Sequence, residues 1–263
     1  MNKIILVLVG FMLTGTAHSA EITKVIIKAA REKTLAPVER SVFDKLRLNI
    51  GTANSVVLNS KARIPSFILK LDFNKQHLQH LIQSSAQLVD KYSAEPTGTK
   101  PTLLDKQLVA VTNFPKRHIG IASYFLVLGV VGINEDEGGT VVLTPSQPVQ
   151  KGARLSLLND LKVFSAEEEK NMSLVEFAET FELLDLRVGT VCDIETRSVD
   201  FGDLGRMNLA LGDYELKPGM QIIRLVNLAG VDKDNDNILG IIEDGRKIPI
   251  TVESKVANGR FVL

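Results

Sequence analysis

Two clusters of charged residues in this 263-residue sequence have types and spacing suited to binding. The first is cationic: Lys61 and Arg63 share one polar loop, Lys70 interrupts an apolar run, and Lys116-Arg117-His118 follow Asn113-Phe-Pro. Clustered Lys and Arg hold phosphates by direct attraction and by release of condensed counterions. The same residues scattered over a solvated loop would do neither. The second cluster is acidic. Asp232, Asp234 and Asp236 fall at positions 1, 3 and 5 of a calcium-loop pattern, with Glu243 at position 12 and Leu239 at the apolar eighth position. Asn237 takes the place of the glycine at position 6, which asparagine tolerates because it enters the left-handed region at modest cost. Against calcium, Ile238 to Ile242 reads as a strand, and a solvated acidic turn is the competing reading.

Nothing else advertises chemistry. There is no Gly-Xaa-Ser-Xaa-Gly elbow, phosphate-binding loop or dinucleotide fingerprint, so the sequence reads as non-catalytic. One cysteine, Cys192, excludes an internal disulfide and a cysteine-based zinc site; in an alternating strand it reads as a small core residue. His77 and His80 share a spacing that suits one helix face but have no carboxylate partner at recognisable spacing. The balance of 31 Lys+Arg against 31 Asp+Glu, with 44% hydrophobic residues, fits folded domains and excludes a charged disordered tail. That neutrality conceals an asymmetry. Residues 41–156 hold 13 basic and 8 acidic residues, a net +5, whereas 172–263 hold 10 and 16, a net −6.

The first twenty residues read as a secretory signal peptide: one early lysine, an apolar run from Ile4 to Leu13, then small residues through Ala20. The mature protein is therefore expected to be exported, periplasmic or secreted, with no membrane segment. Residues 21–42 form an N-terminal extension.

Internal repetition organises the remainder. Phe43 to Thr52 reads against Phe181 to Thr190 at an offset of 138 (181 − 43), carried without a gap to Leu71/Leu209 and Phe73/Leu211. Leu108 to Asn113 reads against Ile222 to Asn227 at 114 (222 − 108), and Val149 to Gly152 against Val256 to Gly259 at 107 (256 − 149). Three blocks in the same order indicate a tandem duplication, with domains at 43–156 and 172–263 and a linker at 157–171. Alternation and apolar runs predict strands at Leu46–Ile50, Phe67–Phe73, Leu108–Thr112, Phe125–Val131 and Val141–Leu143. Short helices are expected at Pro37–Lys45, Ser85–Tyr92 and Ser173–Thr180. The fold class is all-β with short helices, as tandem five-stranded Greek-key (OB-fold) barrels.

The motifs of the first copy are Lys61-Ala-Arg-Ile-Pro65, Ser84-Ser-Ala-Gln87, Asn113-Phe-Pro-Lys-Arg-His-Ile-Gly120, Ser123, Leu126-Val-Leu-Gly129 and Pro145-Ser-Gln-Pro-Val-Gln-Lys-Gly152. In that order they resemble the CsaA-type export-related chaperone and tRNA-binding-domain family, related to the C-terminal appendage of methionyl-tRNA synthetase. The second copy resembles it more weakly, over Phe181 to Val262. The resemblance implies a non-catalytic, usually homodimeric binding domain for tRNA-like RNA or unfolded polypeptide. Here the two copies are expected to pack as an intramolecular pseudo-dimer. The resemblance adds Ser84, Ser85, Gln87, Asn113 and Ser123 to the binding set with Lys61, Arg63, Lys70, Lys116, Arg117 and His118. Ser84 or Ser85 as a helix cap, and Asn113 as a turn residue shared with Asn227, are the bland alternatives. The departures are informative. Only the second copy keeps the family's Leu-Asp-Xaa-Arg-Val-Gly strand, as Leu184 to Gly189, while the first has Arg47 and Asn49 there. Tyr124 stands where the family has an acidic residue and Ala122 where it has a basic one. A bare interaction scaffold is the alternative function.

The acidic-loop reading has a direct check. If calcium binds, millimolar calcium raises the melting temperature of the protein, and the rise is lost in an Asp232→Ala/Asp234→Ala variant; a solvated turn gives no shift.

Overall fold

The computed structural model describes residues 35–62, 65–74, 82–85, 88–96, 98–119, 121–131, 139–158, 170–209, 214–230 and 237–262. The signal segment, His77 and His80 lie outside them. The chain is all-β with short helices, and no helix among the described residues is long and apolar enough to cross a membrane.

In the first half, helix α1 (Arg40–Asp44) leads into β1 (Leu48–Asn59), followed by β2 (Ser66–Asp72), β3 (Ile82–Ser85) and β4 (Gln107–Val111). The small hairpin β5 (Arg117–Ile119) and β6 (Ile121–Ser123) precedes β7 (Leu126–Val127), β8 (Gly129–Val131), β9 (Thr140–Pro145) and β10 (Ser156–Leu157). One antiparallel sheet runs β3-β2-β1-β4-β7. The long β1 serves two neighbours: Leu48–Thr52 pairs with β4 and Thr52–Asn59 with β2, and an irregularity between Ala53 and Ser55 lets the strand turn from one to the other. The two edges of this sheet are then drawn together, because the Val127 N–H donates to Gln83 Oε1 at 2.9 Å in a buried position. The result is a curled, OB-like barrel.

The second half repeats the plan in shortened form. Helix α2 (Leu174–Leu183) begins at Ser173 with a capping box: the Glu176 N–H donates to Ser173 Oγ at 3.1 Å and the Ser173 N–H to Glu176 Oε2 at 3.3 Å. Strands β11 (Leu186–Asp193), β12 (Ser198–Asp200), β13 (Arg206–Asn208) and β14 (Gln221–Leu225) form a sheet ordered β13-β12-β11-β14. Strands β15 (Leu239–Glu243) and β16 (Arg246–Val252) complete the chain.

The two repeat offsets are preserved in the pairing. Leu48 opposes Val111 and Thr52 opposes Gln107 in the first half; Leu186 opposes Leu225 and Thr190 opposes Gln221 in the second. The third offset is preserved too. The Gln107 amide donates to Val149 O (2.6 Å) and accepts from Val149 N (3.0 Å), while Gln221 does the same with Val256 (2.7 and 2.9 Å).

One part of the repeat map is corrected. Thr52 opposes Asp72 and Thr190 opposes Asp200, so the offset beyond the first hairpin is 128 (200 − 72), not 138. Phe73 therefore corresponds to Phe201 rather than Leu211. Both phenylalanines pack on the glycine of the first strand, and in both halves the preceding aspartate accepts the N–H two residues on, at Asn74 (2.8 Å) and Gly202 (2.9 Å). The first half thus carries a hairpin arm ten residues longer (138 − 128), with Val57 53% and Leu58 45% exposed on it. The helix expected at Ser85–Tyr92 is also corrected. Ser85 ends strand β3, and among the described residues only a single helical-type turn remains of that helix, with the Leu88 carbonyl accepting the Tyr92 N–H at 2.9 Å.

The halves are joined by a third sheet, β10-β15-β16-β9-β8. Within it Leu143 opposes Val252, Thr144 opposes Thr251 and Pro145 opposes Ile250. Under the repeat offset of 107, Thr144 corresponds to Thr251, so the central rung pairs equivalent residues and the outer two rungs exchange places. Such self-complementary register is the signature of a two-fold contact. Side chains follow the same division. Leu108 and Ala110 of β4 face the interior of the first barrel, and Ile222 of β14 that of the second. Val109, Val111, Ile223 and Leu225 face instead a core shared with Leu48, Ile50, Leu186 and Val188. Phe114 of the first half meets Phe177 of the second edge-on at 5.0 Å.

A Cβ built on Gly51 would lie 2.7 Å from the Phe73 ring, and one on Gly189 would lie 2.5 Å from the Phe201 ring. Gly51→Ala and Gly189→Ala are each expected to lower stability by about 1–3 kcal/mol through overpacking, read by urea denaturation.

Candidate binding surface

The cations following Asn113-Phe-Pro lie where a short hairpin meets the barrel. Arg117 opposes Ser123, and His118 opposes Ala122, across β5 and β6. One rung further out, the exposed Lys116 sets its Nζ 4.9 Å from the centre of the Tyr124 ring, a cation–π contact. Arg117 is half-buried, and that burial pushes its guanidinium pKa below the ordinary value. Strand β6 packs against β3, which pairs in turn with β2: Ser85 opposes Phe67, Ser84 opposes Ile68, and Lys70 opposes Ile82. The fold therefore brings Arg117, His118 and Ser123, with Lys116 immediately before them, onto strands next to those bearing Ser84, Ser85 and Lys70. Exposed Lys61 occupies the turn beyond the last β1–β2 rung, Asn59 opposite Ser66, at the same end of β2 as Ser85. Lys70 is three rungs away along β2. Next to it on the same face, Asp72 is held below the usual carboxylate range, chiefly by the Lys151 ammonium at 2.8 Å and also by the Asn74 N–H. Arg63 and Gln87 lie outside the described residues.

Asn113 does not belong with this group. It is buried, its Oδ1 accepts the Arg47 N–H at 2.9 Å, and its Nδ2 donates to Lys45 O at 2.8 Å. Asn227 repeats both bonds, accepting from Asp185 N at 3.0 Å and donating to Leu183 O at 2.9 Å. Each asparagine ties the chain entering the first strand of its half to the end of the fourth. The residues that distinguish the two first strands are engaged in the same place. Arg187 Nε donates to Asp185 Oδ1 at 2.7 Å and Nη1 to Gly259 O at 3.0 Å, with the guanidinium 3.7 Å above the Phe261 ring. In the first half Asn49 takes the position of that arginine: its Nδ2 donates to Gly152 O at 2.9 Å, and Thr112 Oγ1 donates to its Oδ1 at 2.7 Å. The loss of the acid–base pair from the first copy is thus compensated by a neutral one.

On the acidic side, Asp232, Asp234 and Asp236 lie outside the described residues. Glu243 ends β15, where its Oε1 accepts the Gln150 N–H at 2.7 Å and its Oε2 lies 3.9 Å from Arg246. Asn237 has a positive φ of 36°, in keeping with its place at the sixth loop position. Among the described residues no group of three His, Cys, Asp or Glu side chains could hold a metal ion. Cys192 is half-buried rather than a core residue, with its Sγ 3.6 Å from Thr190 O.

Gln83, Gln107 and Gln221 are the polar residues that the sequence motifs do not single out. The last two stand one residue before the second repeat block, at its own offset of 114 (221 − 107), and are findable on that ground. Gln83 has no such signal.

No protein-family profile matches the sequence. Among solved structures, the chaperone CsaA from Bacillus anthracis is similar at 32% identity, covering 46% of this chain and 100% of its own, with a TM-score of 0.38. The CsaA chaperone protein from Picrophilus torridus is similar at 25% identity, covering 44% of this chain and 97% of its own, with a TM-score of 0.36. The C-terminal domain of Plasmodium vivax p43 is 15% identical, but its fold matches across 83% of this chain and 97% of its own, with a TM-score of 0.51. The last likeness is one of fold, and it spans both halves.

Asn113→Ala leaves the buried Arg47 N–H and the Lys45 carbonyl without their side-chain partner, so a loss of about 1–3 kcal/mol in unfolding free energy is expected. The ligand affinity of the folded variant should be unchanged, as read by denaturant titration beside a binding assay.

Proposed function

From the resemblance of this chain to the CsaA-type and tRNA-binding-domain family, carried by its motifs and represented among its structural neighbours, we propose that it is an exported, non-catalytic binding protein whose first barrel takes single-stranded or tRNA-like RNA. The observation that supports this most is the grouping of Arg117, His118 and Ser123 on β5 and β6, with Lys116 immediately before β5, beside the strands bearing Ser84, Ser85 and Lys70. Phosphates need clustered cations, and of the two halves only the first, at a net +5 against −6, carries an excess of that sign. Export rests on the N-terminal apolar run ending in small residues. The non-catalytic reading rests on the want of any recognisable catalytic constellation in the sequence.

In this reading the second barrel serves as a built-in partner, the two halves forming an intramolecular pseudo-dimer. The register centred on Thr144 and Thr251 and the shared apolar core support it. With a net −6, the second half is unsuited to phosphate, and a calcium site at Asp232, Asp234, Asp236 and Glu243 would be a separate property of that half.

Unfolded polypeptide is the second reading, favoured by one observation: Val57 and Leu58 are exposed on the long arm beside Lys61. Salt decides between the two. RNA affinity measured by fluorescence anisotropy should fall log-linearly with salt, and each lost phosphate contact should flatten the slope by about 0.7 for a single strand. The triple variant Lys61→Ala/Lys116→Ala/Arg117→Ala is expected to lose most of the affinity and about two units of slope. Unchanged RNA binding by that variant rejects this surface. Salt-insensitive binding of an unfolded polypeptide supports the second reading, and binding of neither ligand leaves an interaction scaffold.

A further inference from the structure

We infer that Tyr124 is a stacking platform for an unpaired nucleobase, so that the first barrel recognises bases as well as backbone charge. The inference rests on the RNA reading of the first barrel and gives that site a specificity-determining residue. Along the segment after β6, side chains alternate. Phe125 and Val127 enter the barrel core, and Tyr124, between Ser123 and Phe125, turns away from it and is half-buried. Every other aromatic ring among the described residues of the first half is buried: Phe43, Phe67, Phe73, Tyr92, Phe114 and Phe125. The chain has no tryptophan and three tyrosines. Of these, Tyr92 is enclosed, its hydroxyl accepting the Val142 N–H at 3.1 Å and donating to Glu253 at 3.4 Å. Among the described residues of the first half, Tyr124 therefore carries the one ring open to solvent. It sits among the cations of the proposed site.

The surroundings suit a nucleotide rather than a bare anion. The Arg117–Ser123 rung continues outward to Lys116 facing Tyr124, and the Lys116 ammonium lies 4.9 Å from the ring centre. A base laid on the ring places its phosphate on the side of that ammonium and of Arg117. Every base has a π-face, so stacking of this kind is tolerant of sequence but demands an unpaired base. A duplex, whose bases are already stacked, would engage only the cations.

The test uses the full chain, with three probes read by anisotropy or competition: a labelled single-stranded 12-nucleotide RNA, a duplex of the same length, and inorganic polyphosphate. Tyr124→Ala should weaken single-strand binding by about 5- to 150-fold. It should leave duplex and polyphosphate affinities and the salt slope unchanged, and Tyr124→Phe should restore single-strand binding. Because the protein lacks tryptophan, tyrosine emission is directly observable, and single-stranded RNA should quench a component that is missing in Tyr124→Phe. Equal single-strand affinity in wild type and Tyr124→Ala overturns the inference while leaving the RNA reading intact. So does a parallel loss for all three probes with an unchanged melting temperature. Wild-type protein that binds polyphosphate but no RNA better than polyphosphate likewise rejects stacking and keeps the cations. If Tyr124→Ala melts early, Tyr124→Leu, which keeps the apolar bulk without the ring, replaces it and must show the same selective loss. Binding of neither RNA nor polyphosphate by the wild type overturns both readings together.

Discussion

The face that each barrel turns outward from β1 and β4, or from β11 and β14, is made of Leu48, Ile50, Val109, Val111 and their counterparts Leu186, Val188, Ile223 and Leu225. A barrel strand normally alternates apolar and polar residues, because only one side meets the core. Here the side turned away from the barrel interior is apolar in all four strands, and β4 is apolar on both sides. Each such side chain left in water would forgo about 1.5–3 kcal/mol, and four on one face would consume most of a domain's usual net stability of about 5–15 kcal/mol. Neither half can satisfy that face alone. The pairing of β9 with β16, the crossing of β10 onto β15, and the packing of Phe114 against Phe177 all result from covering it.

Around this constraint the two halves have kept some interactions and lost others in a consistent way. The glutamine clamps, the asparagine ties, and the contact of glycine with phenylalanine recur in both, and all of them fix backbone. Apart from the buried exchange of Arg187 for Asn49, the differences lie in the longer arm of the first half and in the sign of the net charge. The elements that set the barrel are shared, and those that could meet a ligand are not.

Much of this is legible from residues alone. The offsets of 138, 114 and 107 define which residues correspond, and strand pairing in both halves obeys them because register repeats when the sequence does. The end of the hairpin is not legible in the same way. Leu209 and Leu211 continue the ungapped alignment as plausible apolar partners, which hides the ten-residue shortening that Phe201 reveals by its packing on Gly189. Ser85 reads toward a helix from its hydroxyl and its neighbours, whereas pairing with Phe67 across β2, a non-local contact, makes it a strand. Asn113 is a candidate ligand by motif and a tie by geometry, and its recurrence as Asn227 is the better guide. The Lys116–Tyr124 contact joins residues eight apart through a hairpin whose turn the sequence does not mark with a strong signal.

The ladder centred on Thr144 and Thr251 closes within one polypeptide. When two separate chains form such a contact, its strength depends on how many of them are present, and dilution takes it apart. Joined end to end, the two surfaces are always in each other's presence, so that encounter between molecules plays no part in assembling them. Dilution therefore does not separate the two halves. The protein is also freed from the rule that any change to one surface be copied onto the other, since each half is written once in the chain and can be altered by itself.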